Sequence, residues 1–174
     1  MQLEALASVK EVFGATHDET LHIVNGLAEL YIEQERYAEA RPLCQEALEI
    51  HRVKLEAFHP NVMLSILRMA KIETALGNLE AAEALFREAI MGHKHKTNGV
   101  FNEHALADMR HLAFTLQAQN KFNEAEYFFR ELFLHSEKQY GRNHNLTVEA
   151  FDTLNKHVEM KKEYLKNINS GVGS

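Results

Sequence analysis

One cysteine, two prolines, eight glycines and no tryptophan stand among 174 residues. A lone Cys44 excludes an internal disulfide framework and fits a reducing compartment, so a cytoplasmic location is expected. Scarce proline and glycine, beside abundant Leu, Ala and Glu, point to helix throughout. No apolar run approaches the roughly 20 residues of a spanning helix, and nothing reads as a secretory leader, so no membrane partner is expected. Lys and Arg number 19 against 25 Asp and Glu, for a net charge of -6, and the basic residues do not cluster. Nucleic acid is therefore a poor partner, since phosphate neutralisation supplies most of that affinity. A Gly-rich phosphate loop, HExxH and GxSxG are all missing, so neither enzymatic activity nor a cofactor is expected.

What the chain does contain is a unit repeated in register. "YAEARPLCQEALEI" from Tyr37 is followed by "LEAAEALFREAIMG" from Leu79 and "FNEAEYFFRELFLH" from Phe122. Ala40, Ala82 and Ala125 correspond at separations of 42 and 43 residues, and Ala28, Ala70 and Ala113 repeat the same separations upstream. The joining segments "THDET", "FHPNV" and "FNEHA" match, and "NHNLT" from Asn143 opens a fourth copy. One residue inserted before Phe101 explains the single longer spacing.

Each repeat reads as two antiparallel helices. Val24, Leu27, Ala28 and Tyr31 carry the three- and four-residue spacing of one helical face, as do Ala40, Leu43, Cys44, Ala47 and Leu48. "EQER", "ALGN" and "AQNK" are short polar turns between them, with Gly77 and Asn78 tolerating left-handed backbone. Asp18, Asn61 and Asn145 are the expected caps of the first helices, and Pro42 is expected near the first turn of its helix. A lone hairpin leaves its apolar stripe in water, so each must stack on the next. The alanines mark where helices approach most closely, and a large residue there would overpack the contact. The expected fold is therefore all-α: an α-solenoid, a right-handed superhelix of stacked antiparallel helix hairpins. A single array should fill 1–166, with a remnant second helix at 1–14, repeats at 18–56, 60–97 and 103–140, and a capping helix at 145–166. A flexible tail is expected at 167–174.

These residues resemble tetratricopeptide repeats. The period near 42, the "H-P" that leads the second repeat and "EA-x-P-L-x-x-x-AL-x-I" in the second helix are similar to the longer subtype typified by kinesin light chains. The resemblance implies a protein–protein interaction scaffold, an adaptor that holds a partner peptide or helix along the first helices on the concave side. Projecting one face of those helices gives His22, Asn25, Glu29 and Ile32, then Leu64, Leu67, Lys71 and Thr74, then Ala107, Arg110, Phe114 and Gln117. Asn25 matches the asparagine with which family members bond a ligand's backbone amides. Leu64, Leu67 and Phe114 make an apolar centre flanked by Glu29, Lys71 and Arg110, the profile of a hot spot with a polar rim. Two of the family's specificities fit poorly. Glu29 occupies a place that the carboxylate clamp for chaperone C-termini gives to a lysine or asparagine, and the mixed charge is unlike the basic groove that takes acidic, tryptophan-containing peptides. The alternative reading is a structural assembly element that self-associates, or stacks end to end with further repeats.

The remaining reactive side chains carry less. His93, His95 and His104 lie near one loop, but the intervening Lys94 opposes a cation and no ligand spacing is present, so no metal is expected. His17 and His59 recur at repeat boundaries, which favours a role in the turn. Cys44 sits on a buried stripe as a small hydrophobe. Glu80 and Glu83 read as solvated surface. Glu73, at the position of Tyr31 and Leu116, breaks the apolar pattern without an evident reason.

Overall fold

The computed structural model describes residues 2–96 and 101–170, with side chains from 6 to 95 and from 101 to 170. The inserted residue before Phe101 and the last four residues of the expected tail lie outside them. Two compact units form, Met1–Lys96 and Thr97–Ser174. The first holds α1 (Gln2–Phe13), α2 (Asp18–Glu33), α3 (Tyr37–Lys54), α4 (Pro60–Ala75) and α5 (Leu79–Lys96), each packed on the next. The second holds α6 (Glu103–Ala118), α7 (Phe122–Tyr140) and α8 (Asn145–Asn169), again packed in order. The fold is all-α among the described residues, built in each unit of helices stacked in chain order, the α-solenoid class. Helix α8 runs to Asn169, beyond the expected end of the capping helix at 166.

Small residues sit where the repeat requires them. Ala28, Ala40, Ala70, Ala82, Ala113 and Ala125 are wholly inaccessible. A close approach also marks Gly92 of α5, where an added Cβ would stand 2.5 Å from Met63 Sδ. The turns within hairpins share one device. Glu35, Gly77 and Asn120 occupy the same register position and all take positive φ, at 57°, 79° and 60°.

The caps differ from expectation. His17, His59 and His144 are the N-caps of α2, α4 and α8, each accepting at Nδ1 from the backbone N–H two residues on, at 3.2–3.3 Å. Asp18 and Asn145 are instead the first residues of their helices, and Asn61 the second of α4. An imidazole acceptor satisfies the same orphan N–H that a carboxylate or amide would. Only α6 uses an amide among these four, Asn102 Oδ1 accepting from Ala105 N–H at 2.9 Å. Pro42 also sits deeper than expected, inside α3, where it removes one i→i−4 bond.

Glu73 is explained by its surroundings. It is 2% exposed, and Arg41 Nε donates to its Oε1 at 2.7 Å while Asn78 Nδ2 donates to its Oε2 at 2.6 Å. Arg41 of α3 thus reaches the next hairpin, and Asn78 ties the carboxylate to the turn that opens α5. Glu83 corrects a smaller expectation: its side chain is mostly covered and pairs with Arg87 at 2.9 Å.

Two buried histidines tie helices together and should make the fold sensitive to acid. His51 Nδ1 lies 2.8 Å from Ser65 Oγ, joining α3 to α4. His157 of α8 lies 2.6 Å from the Gln117 side-chain amide and 3.0 Å from the Phe122 carbonyl, fastening α8 to α6 and α7. Burial holds both imidazoles below their ordinary value, with nearby His59, Arg68 and Lys54 adding to the effect at His51. The unfolded chain, whose histidines titrate near pH 6.5, then takes up protons first. The contribution of each is complete above about pH 6.5 and is lost as pH falls through that value towards the folded pKa. The thermal midpoint should therefore drop from pH 7.5 to pH 5, and His157→Gln should show a shallower drop than wild type in the same buffers. Equal slopes would contradict the assignment.

Candidate functional site

The first helices of neighbouring hairpins face each other across a groove in each unit. In the first unit, α2 supplies Asp18, Leu21, His22, Asn25, Gly26 and Glu29, and α4 supplies Asn61, Leu64 and Arg68. His51 of α3 lies at the base, and the cavity measures about 500 Å³. In the second unit, Glu103, Leu106, Ala107 and Arg110 of α6 face Leu146, Glu149, Ala150 and Thr153 of α8. Leu132 and Ser136 of α7 form that base, around a slot of about 160 Å³. Ser136 holds the register position of His51, so both grooves have one construction.

The repeat explains the construction. Helix α2 offers register positions three and four apart along one stripe, and α4 answers with the stripe one position round its circumference. Helices α6 and α8 use the same pair of stripes. An arginine spans each groove. Arg68 Nη2 lies 2.7 Å from Glu29 Oε2, and its Nη1 is 3.3 Å from Asn25 Oδ1, a long bond. Arg110 Nη1 lies 2.6 Å from Glu149 Oε1. The first groove is thus polar over a base of Leu21 and His51, and the second is narrow and apolar-based with a charged lip.

The expected site residues divide accordingly. His22, Asn25, Glu29 and Leu64 come together in the first groove, and Ala107 and Arg110 line the second. Leu67 and Ile32 are half-buried against the core of the first unit. Lys71 is exposed on α4, and Thr74 Oγ1 donates to the Ala70 carbonyl at 2.8 Å. In the second unit Phe114 meets Phe129 edge-on, with centroids 5.1 Å apart, and Gln117 bonds His157. Leu67 and Gln117 are therefore engaged within their own units, while Phe114 keeps 45% of its surface exposed. Projection of a single face missed Arg68, Asn61, Glu149 and Thr153, which belong to the answering stripe. The 42-residue register applied to the neighbouring stripe would have found them.

Cys44 is buried and the desolvation of its thiolate pushes the thiol up to about 11, so it is a poor nucleophile at neutral pH. His95 packs its ring on Phe58 at 4.6 Å. No helix among the described residues is long and apolar enough to cross a membrane.

Known proteins agree with this architecture. Two tetratricopeptide repeat family models match, over residues 19–90 and 109–145, together more than half of the chain. No curated protein matches by sequence. Two solved structures of nearly identical TPR-like repeats from Podosopora anserina, assigned as a kinesin light chain, have TM-scores of 0.78 and 0.77. Each is 19% identical, and the match covers 97% of this chain and 82% of the other. BtubC (BKLC) from P. vanneervenii is similar at a TM-score of 0.66 and 15% identity, over 91% of this chain and 63% of its own. Likeness at such identities is likeness of fold. With the repeat register, the stacked hairpins and the matched family models taken together, the chain belongs to the tetratricopeptide repeat family.

Proposed function

We propose that the chain is a binding scaffold that holds an extended peptide segment of a protein partner in its first-helix grooves. Tetratricopeptide domains in general bind protein partners, and the observation that favours the grooves here is the arginine bridge across each. Arg68 is held by Glu29 and by a long bond to Asn25. A peptide carboxylate or carbonyl can take over such a bond at little cost, because the donor is already oriented and partly desolvated. Leu64 beside it offers apolar area for a side chain, and the narrow second slot suits one small apolar residue.

The reading is tested with peptides selected from a random display library on the immobilised wild-type chain. Arg68→Glu and Leu64→Asp should each weaken the selected peptides by roughly tenfold or more, since truncating a charged partner costs about 2 kcal/mol or more. Both residues are partly exposed, so helicity should stay unchanged. Peptides that bind both variants as tightly as wild type would place recognition elsewhere.

A further inference from the structure

Three of the four first helices bury the same stripe, and the fourth does not. The position held by Leu21, Met63 and Leu106 is Val148 in α8, and the one held by Val24, Ile66 and Met109 is Phe151. All six counterparts are buried, whereas Val148 and Phe151 are each 47% exposed. Over α4 the covering element is α5, whose Gly92 lies directly on Met63. No second helix follows α8 among the described residues. Val148 and Phe151 instead line an open cleft with Phe133, Arg142 and Thr147, about 360 Å³ in volume.

Helix α1 is the complementary half. It holds the register of a second helix, with Leu6 at the place of Leu48, and no first helix precedes it among the described residues. It packs on α2 as α3 packs on α4, and its Lys10–Glu46 pair at 2.7 Å is the counterpart of Arg52–Glu88 at 2.6 Å. The position of Gly92 is Ser8 in α1, small and exposed. Val12 and Phe13 lie at its end, 74% and 52% exposed.

We propose that the open stripe of α8 is covered by α1 of a second copy of this chain, with Ser8 set over Val148 as Gly92 is set over Met63. The two registers agree. Antiparallel hairpins bring the end of a second helix against the start of its first helix, as Lys54 Nζ does at 3.1 Å from Asp18 Oδ1. Helix α1 holds the register of such an end, and the stripe of α8 that it would meet is apolar at Val148 and Phe151 before it reaches Asn155. The contact joins two different surfaces, so each copy keeps one free surface of each kind and growth continues past the dimer.

Sedimentation velocity on the whole chain tests this from about 10 μM to about 1 mM, the range in which a small interface associates. The mean mass should climb past that of a dimer. Phe151→Asp and Ser8→Trp should each keep the chain monomeric at unchanged helicity, because one charges the stripe and the other overfills the close approach. An equimolar mixture of the two variants retains one intact α1 and one intact α8 face, and should form a dimer and nothing larger. Should Phe151→Asp lose helicity, Val148→Asp takes its place. A wild-type chain that stays monomeric, or that stops at a dimer through α8 on α8, overturns the proposal. So does a mixture that fails to dimerise, or a variant that assembles like wild type.

Discussion

Phe129→Ala should destabilise the second unit by about 3–5 kcal/mol, the cost of removing a fully enclosed aromatic ring from a core. Phe129 is wholly inaccessible and sits at the junction of three helices. Phe114 of α6 meets it edge-on at 5.1 Å, and the His157 ring of α8 lies 5.0 Å away. Truncation would leave a void against both, and stiff neighbours on three helices cannot close it. That loss is a large share of the roughly 5–15 kcal/mol by which a domain is stable, so hydrogen exchange in α6 to α8 should accelerate markedly. A shift below about 1 kcal/mol in chemical unfolding would mean that the ring does not carry this packing.

Arg41→Ala and Glu73→Leu should move stability in opposite directions. Removing Arg41 strands a carboxylate that is 2% exposed, and breaking a buried pair from one side costs about 3–5 kcal/mol. The lower end applies, because Arg41 itself is 45% exposed and Asn78 continues to donate. Glu73→Leu restores the apolar residue that Leu116 supplies at the same position, and should be neutral or gain up to about 4 kcal/mol. The double variant should then resemble Glu73→Leu, since Arg41 has lost its only stated task there. Urea midpoints of the three variants check this. Equal losses for Arg41→Ala and Glu73→Leu would show that the pair contributes net stability.

These residues also mark how far the sequence could be read. The alanine register and the hairpin turns were legible because close packing of helices leaves a periodic sterical signature that no other constraint produces. Glu73 was legible only as an exception: its partner Arg41 is 32 residues away, and no local pattern links them. The caps were misplaced by one or two residues because an imidazole accepts at Nδ1 as well as a carboxylate does, so His17, His59 and His144 compete with the usual candidates. For the site, one wall of each groove followed from the repeat, as His22, Asn25 and Ala107 show. The answering wall did not, because opposing helices present adjacent stripes, and Arg68 and Glu149 lie on the second. Leu67 and Phe114, the expected apolar centre, each touch their own core, Leu67 in the first unit and Phe114 at Phe129 in the second, while Phe114 keeps nearly half of its surface exposed.

Hydrogen exchange of the wild-type chain with and without a display-selected peptide tests the scaffold reading most directly. The account predicts slowed exchange in α2 and α4, in α6 and α8, or in both pairs, with α3, α5 and α7 little changed. Protection confined to the second helices would contradict it, as would peptides that alter no amide in either pair.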